Sequence, residues 1–232
     1  MISIAKVKTD ARRALSGNWG KIIGAFFISL GLFVIDLLLY WSLAPNYQII
    51  TFPNGDVTIY PTMNAMIINL VVLWLTVLFI TFPIYVGFAW FFVDLYDGKQ
   101  VSASSVLQSW RRYGKIVATI LLVYLFTMLW SLLFVVPGIV KGYSYSMAFI
   151  LIKDNPEMSP FAAITESRRL MNGNKGKMFV LQLSFLGWML LPFVNFLYGV
   201  PYLLMSYVAF MRELTGKKEL AEEETSLSFA TE

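Results

Sequence analysis

The chain alternates short charged stretches with long apolar ones, and this alternation predicts its elements. Four apolar stretches stand out: Ile22–Ala44, Ala65–Val93, Ile116–Ile152 and Met178–Met211. A bilayer core of roughly 30 Å takes about 20 helical residues per crossing. The first two stretches therefore hold one crossing each. The third and fourth hold two short ones each. Their breaks are expected at Pro137-Gly138 and at Pro192 or Pro201, since proline removes a helix hydrogen bond.

The charged segments before these stretches predict basic amphipathic helices. In the first, Ile4, Val7, Ala11 and Leu15 recur at helical spacing, while Lys6, Lys8, Arg12 and Arg13 cover the rest. Ser3, Ser102 and Ser159 stand where N-caps belong. Such a helix lies in the headgroup layer of an anionic inner leaflet. Between the first two crossings, Gln48–Phe52 and Val57–Tyr60 are β-branched and aromatic around Pro53-Asn54-Gly55-Asp56, which predicts a two-stranded hairpin.

Charge sets the orientation. Placing the basic groups on the cytoplasmic side satisfies the positive-inside rule for 17 of the 18 Lys and Arg, Lys141 being the exception. That arrangement needs six crossings with both termini inside. The runner-up is four full spans with re-entrant pieces. No secretory leader is expected, because a charged segment precedes a first apolar run too long for a signal core.

Self-comparison finds an internal repeat. Ala11–Gly31 aligns with Ser167–Gly187, with Arg12/Arg168, Arg13/Arg169, Gly17/Gly173, Asn18/Asn174, Gly20/Gly176, Lys21/Lys177 and Gly31/Gly187 identical at one offset. Trp110–Val117 is a weaker third copy, keeping Arg111, Arg112 and Lys115. Pro83 matches Pro201, and Gly98-Lys99 matches Gly216-Lys217. The expectation is an all-α membrane protein, a six-span helical bundle of three pseudo-repeats with a small extracytoplasmic β-hairpin. It forms one domain, residues 1–214, with units of about 1–100, 101–155 and 156–214 and the outer hairpin at 45–64. The acidic stretch 215–232 is expected to be a disordered cytoplasmic tail.

Composition sharpens this. Of 232 residues, 58% are hydrophobic and 14% charged, and the mean hydropathy is +0.67. An ordinary soluble domain has roughly 25% charged residues, so a water-soluble globule is excluded. The absence of Cys and His removes disulfides, thiol nucleophiles, imidazole chemistry and Cys/His metal sites. No cofactor, metal or nucleic acid is expected.

Little chemistry is left to place. Asp36 lies inside the first crossing, where a carboxylate costs about 2.5–3.5 kcal/mol on insertion scales. Lys141 is the one misplaced cation, so an Asp36–Lys141 pair is expected. With Tyr143 and Tyr145 it makes a candidate intramembrane polar site. The Gly142–Ser146 stripe, Asn69, Gln182, Ser184 and Asn195 are further polar groups for helix packing or such a site. The interfacial basic set is Arg12, Arg13, Lys21, Arg111, Arg112, Lys115, Arg168, Arg169 and Lys177. Gly173-Asn174-Lys175-Gly176-Lys177 lacks the spacing of a phosphate loop.

Several runs resemble a known family. They are Lys153-Asp154-Asn155-Pro156, Glu166–Gly173 and Phe179–Trp188, with Gly17–Lys21, Pro137–Ile139, Tyr143-Ser144 and Pro201-Tyr202. Together they resemble the bacterial integral membrane family called "domain of unknown function 975", over nearly the whole chain. Asn174 stands where that family often has His. The resemblance implies a multi-pass bacterial plasma-membrane protein with no assigned role and no catalytic residue to carry over. Similar patterns in membrane domains fused to some glycerophosphodiesterases hint at lipid-related work. The expected function is a non-enzymatic scaffold or accessory protein that binds membrane lipids or partner proteins, in envelope homeostasis or peptide resistance. The alternative is a small transporter or channel using Asp36 and Lys141, and a membrane-embedded enzyme ranks third. Oligomeric state and partners are left open.

Overall fold

The computed structural model describes residues 2–43, 47–191 and 194–216. Helix α1 (Ile4–Leu15) leads to α2 (Trp19–Leu43), then to strands β1 (Tyr47–Thr51) and β2 (Val57–Pro61). Next come α3 (Met63–Thr76), a π-helical turn Val77–Thr81 and α4 (Phe82–Tyr96). A 3-10 segment, Ala103–Arg112, precedes α5 (Tyr113–Leu133), α6 (Val135–Tyr145) and α7 (Ala148–Asp154). Then follow α8 (Pro160–Leu170), α9 (Lys175–Leu183), a 3-10 turn Leu186–Leu190, a π turn Asn195–Gly199 and α10 (Val200–Thr215). Among the described residues four continuous helical stretches are long and apolar enough to cross a membrane: Trp19–Leu38, Met63–Tyr96, Ala103–Leu133 and Val135–Asp154.

Apolar side chains sort into two populations. Val7, Ala11, Leu15, Trp90, Phe91, Phe92, Ile152, Ile164, Met171, Tyr202 and Phe210 are buried together in one core. That core forms a packed base, whose outward positions on α1 and α8 include Lys6, Thr9, Arg12, Arg13, Thr165, Arg168 and Arg169. Beyond the base, arms of helical segments expose apolar side chains such as Phe27, Leu38, Trp74, Leu132, Val136, Leu190 and Leu197. Exposed apolar surface of that extent is stable only against lipid or a partner. On the first arm it runs from Ile23 to Trp41 and from Met63 to Phe79, about 25 Å each at the helical rise. On the second it runs from Leu121 to the tip at Phe134, only about 20 Å.

Packing in the base follows a ring. The 3-10 segment lies on α4, α8 lies on α7, and α1 lies on α10. Two glycines set the closest approaches. A Cβ at Gly87 would stand 1.8 Å from the Val106 carbonyl oxygen, and one at Gly138 would stand 2.0 Å from Ser131 Oγ. At the first contact the Ser109 hydroxyl donates to the Pro83 carbonyl at 2.7 Å.

Two pairs of segments behave alike. Val7, Ala11, Leu15, Ile22 and Ala25 are buried, as are Ala163, Ser167, Met171, Met178 and Leu181 at the aligned positions. Gly17 and Gly173 both take positive φ, at 78° and 75°. The Asn18 and Asn174 side chains each donate to the carbonyl four residues back, Ala14 and Leu170. The π turns Val77–Thr81 and Asn195–Gly199 run directly into Pro83 and Pro201 at equivalent positions, and the wider turn absorbs the helix hydrogen bond that proline cannot make.

The hairpin forms as its turn chemistry requires. Tyr47 pairs with Pro61 and Thr51 with Val57, antiparallel. Gly55 has φ 86°, and Asn54 and Asp56 are cross-bonded by side chain and backbone.

Several expectations need correction. The α5–α6 break is not at Pro137-Gly138 but at Phe134, the one extended residue between the helices. Pro137 sits in the first turn of α6, where it is tolerated, and Gly138 serves the close contact with Ser131. The second interfacial segment is a 3-10 helix closed by a Ser102–Ser105 capping box, not an α-helix. Ser159 caps α8 by accepting from Ala162 N at 3.2 Å, but Ser3 makes no side-chain cap. The Met178–Met211 stretch is interrupted at Ser184-Phe185 and again at Leu191. Pro192, the start of the outer hairpin at 45–46 and the tail from 217 onward lie outside the described residues.

Candidate functional site

The most constrained polar chemistry lies where α4, α7 and α10 end in the base. Arg212 is 3% exposed. Its Nε and Nη2 donate to Asp97 at 2.8 and 2.7 Å, and its Nη1 and Nη2 donate to Asp154 at 2.6 and 3.1 Å. Beside it Lys153 Nζ lies 2.5 Å from Asp94 Oδ2. Lys99 reaches the other Asp94 oxygen at 3.0 Å, and Gln108 donates to Asp94 at 3.1 Å while accepting from Lys153 at 3.3 Å. Charges withdrawn from water are tolerable only when paired and hydrogen-bonded. This knot meets that requirement and ties α4, the 3-10 segment, α7 and α10 together.

Trp90 anchors the knot from above. Its Nε1 donates to the Phe149 carbonyl at 2.9 Å, and its ring is faced by Arg112 and Lys153 at 5.6 and 5.5 Å. Arg112 also donates to the Ile152 and Lys153 carbonyls at 2.9 and 3.0 Å. These are last-turn carbonyls of α7 with no partner of their own in the helix, so a cation suits them.

The expected intramembrane pair is not brought together. Asp36 is 8% exposed and accepts from the Thr81 hydroxyl at 3.2 Å. Its Oδ1 has no hydrogen-bond partner among the described residues. Lys141 stands 4.2 Å over the Trp130 ring instead. The reason is position: Lys141 is on the second arm, and Asp36 faces the π turn of the first. The Tyr143 hydroxyl donates to Gln182 Oε1 at 2.5 Å, and Tyr145 is buried with its ring 6.2 Å from Phe126.

The interfacial basic residues divide by role. Arg12 stacks on Tyr202 at 5.2 Å, and Arg112 and Lys115 bind backbone carbonyls of the α7–α8 region. Arg169 is exposed and forks onto Glu166 at 2.8 and 2.6 Å, which holds the Glu166 carboxyl below the usual carboxylate range. Lys177 is 3.4 Å from Asn174 Oδ1. Arg13, Lys21, Arg111 and Arg168 remain exposed.

Sequence reasoning missed the knot. Asp94, Asp97, Asp154 and Arg212 were signalled only by their place: each sits at the last turn of an apolar helix, where three helices must converge. Among the described residues no group of His, Cys, Asp and Glu is placed to hold a metal ion.

A packed base with four apolar helical stretches of membrane-crossing length among the described residues points to a helical membrane protein. Residues 135–218 match the model of the family described as "Protein of unknown function (DUF975)", so the family resemblance holds over that segment. An uncharacterised protein of Mycobacterium bovis and one of Mycobacterium tuberculosis are each 28% identical to the chain, covering 74% of it and 52% of their own length. The chain thus spans about half the length of the curated relatives it matches. No solved structure matches.

Proposed function

We propose that the chain is a non-enzymatic membrane scaffold that binds anionic lipids, and partner proteins, through its ring of interfacial segments. The observation that carries this is the base itself. Three interfacial segments are each clamped to the last helix of a hairpin unit, while Arg13, Arg111 and Arg168 stay exposed at its rim. The matched burial and glycine conformations support a repeat relating the first and third units, and the Arg111-Arg112 and Lys115 pattern supports counting the middle unit with them. The charge distribution supports six crossings of a bacterial plasma membrane with both termini inside, the second and third arms crossing a bilayer thinned around them. Thinning costs only fractions of a kcal/mol per Å.

Incubation of the purified chain with vesicles of phosphatidylglycerol or of phosphatidylcholine tests the lipid claim. Preferential retention of phosphatidylglycerol, lost when Arg13, Arg111 and Arg168 are changed to Glu, is the expected result. Equal retention of both lipids overturns it.

A second reading, a small transporter or channel, is favoured by Asp36 Oδ1, which has no hydrogen-bond partner among the described residues. Against it, the cavity between α4, α7, α9 and α10 has neither Asp36 nor Lys141 in its lining. Proteoliposome flux that depends on Asp36 would establish it.

A further inference from the structure

Where the base meets the arms, α4, α7, α9 and α10 leave a cavity of about 290 Å³. It is not sealed. Tyr85 on its rim is 63% exposed, and from Met66 to Phe79 the exposed side chains of the same continuous helix are apolar. Its mouth therefore faces lipid rather than water.

The lining contains no Lys, Arg, Asp or Glu. Its polar groups are the hydroxyls of Tyr85, Tyr207 and Ser146 and the carboxamide of Gln182. The Ser146 hydroxyl donates to the Tyr143 carbonyl at 2.8 Å, which leaves the Tyr85 and Tyr207 hydroxyls as the lining donors of that kind. The Gln182 oxygen is taken by Tyr143, which leaves its NH2 to donate. Phe149 and Leu204 supply apolar wall.

An occupant must enter from the bilayer, be uncharged where it sits, offer oxygen acceptors, and carry apolar chain on one side. The glycerol-ester segment of a phospholipid meets all four conditions. Its carbonyls accept from hydroxyls and amides, its chains run along the arms, and its headgroup lies toward the basic rim. We infer that this cavity binds the glycerol-ester segment of a membrane phospholipid. The inference rests on the lipid-binding reading and assigns it a place.

The test uses the full chain and two forms of phosphatidylglycerol with the same headgroup and chain length. One is ester-linked; the other is ether-linked and lacks the carbonyls. Native mass spectrometry reads retention of each. Wild type is expected to retain the ester form severalfold better. Tyr207→Phe narrows that preference, and Ala89→Trp, which fills the cavity, removes it. Equal retention of the two forms by wild type overturns the inference, and so does an unchanged preference in Ala89→Trp. Should Ala89→Trp fail to fold, Tyr207→Phe, smaller by one oxygen, carries the same decision. Failure of the broader reading is a separate result: no discrimination between phosphatidylglycerol and phosphatidylcholine.

Discussion

Arg212 grips Asp97 through two hydrogen bonds, Nε to Oδ1 at 2.8 Å and Nη2 to Oδ2 at 2.7 Å. The two residues end α10 and α4, so this fork joins the last hairpin to the first. Asp154, from the end of α7, takes the remaining donors.

Removing Arg212 leaves two carboxylates facing each other in the base. Arg212→Ala is expected to destabilise the fold by about 3–5 kcal/mol. Arg212→Leu combined with Asp97→Asn and Asp154→Asn should recover much of that, because no unpaired charge is then buried. Thermal unfolding in one detergent compares the variants. A triple variant no more stable than the single one would disprove the account.

Gly87 and Gly114 give a paired test of close packing. A methyl group at Gly87 meets backbone at Val106, whereas one at Gly114 meets nothing within 4 Å. Gly87→Ala should cost about 1–3 kcal/mol by overpacking. Gly114→Ala should be neutral or slightly stabilising, since alanine is the better helix former. Equal unfolding temperatures for the two variants would contradict this packing.

The depth of the arms can be read with thiols, because the chain has no cysteine of its own. Single cysteines at Gly55 and Phe134 are expected to react with a membrane-impermeant reagent from outside intact cells. A cysteine at Ser104, in the base, should react only after permeabilisation. Labelling at position 55 but not at 134 would make the second arm re-entrant and reduce the crossings below six.

The Asp36 and Lys141 charges are held by different neighbours, Thr81 and Trp130. Exchanging them, as Asp36→Lys with Lys141→Asp, should therefore fail to rescue expression lost in either single variant. Rescue to wild-type levels would restore a direct pair. Asp36→Asn keeps an acceptor for Thr81 and is expected to be mild by the same measurement.

Local pattern explains why much of the fold was legible. Val7, Ala11 and Leu15 announce the buried face of α1 at helical spacing, and Pro53-Asn54-Gly55-Asp56 announces the turn that Gly55 makes with positive φ. The Phe134 break was not legible, because proline three residues on is a stronger local signal yet is harmless in a first turn. The charged knot was illegible for a different reason. Asp97, Asp154 and Arg212 each look like ordinary interfacial charges along the chain, and only convergence of α4, α7 and α10 takes them out of water. The same limit misplaced Asp36 and Lys141: intramembrane cost names residues that need a partner but not the partner.

The ring has a seam, and the seam sets an order of events. Segment α1 is made before α10, yet the surface that covers Val7, Ala11 and Leu15 belongs to α10, with Lys6 reaching Glu213 at 3.8 Å. Throughout synthesis of the intervening hairpins this stripe lacks α10 to rest on. An amphipathic basic helix in that position finds the nascent membrane surface first. On the proposed lipid-binding reading, the leaflet serves as a temporary template for α1, and arrival of α10 exchanges it for a permanent one.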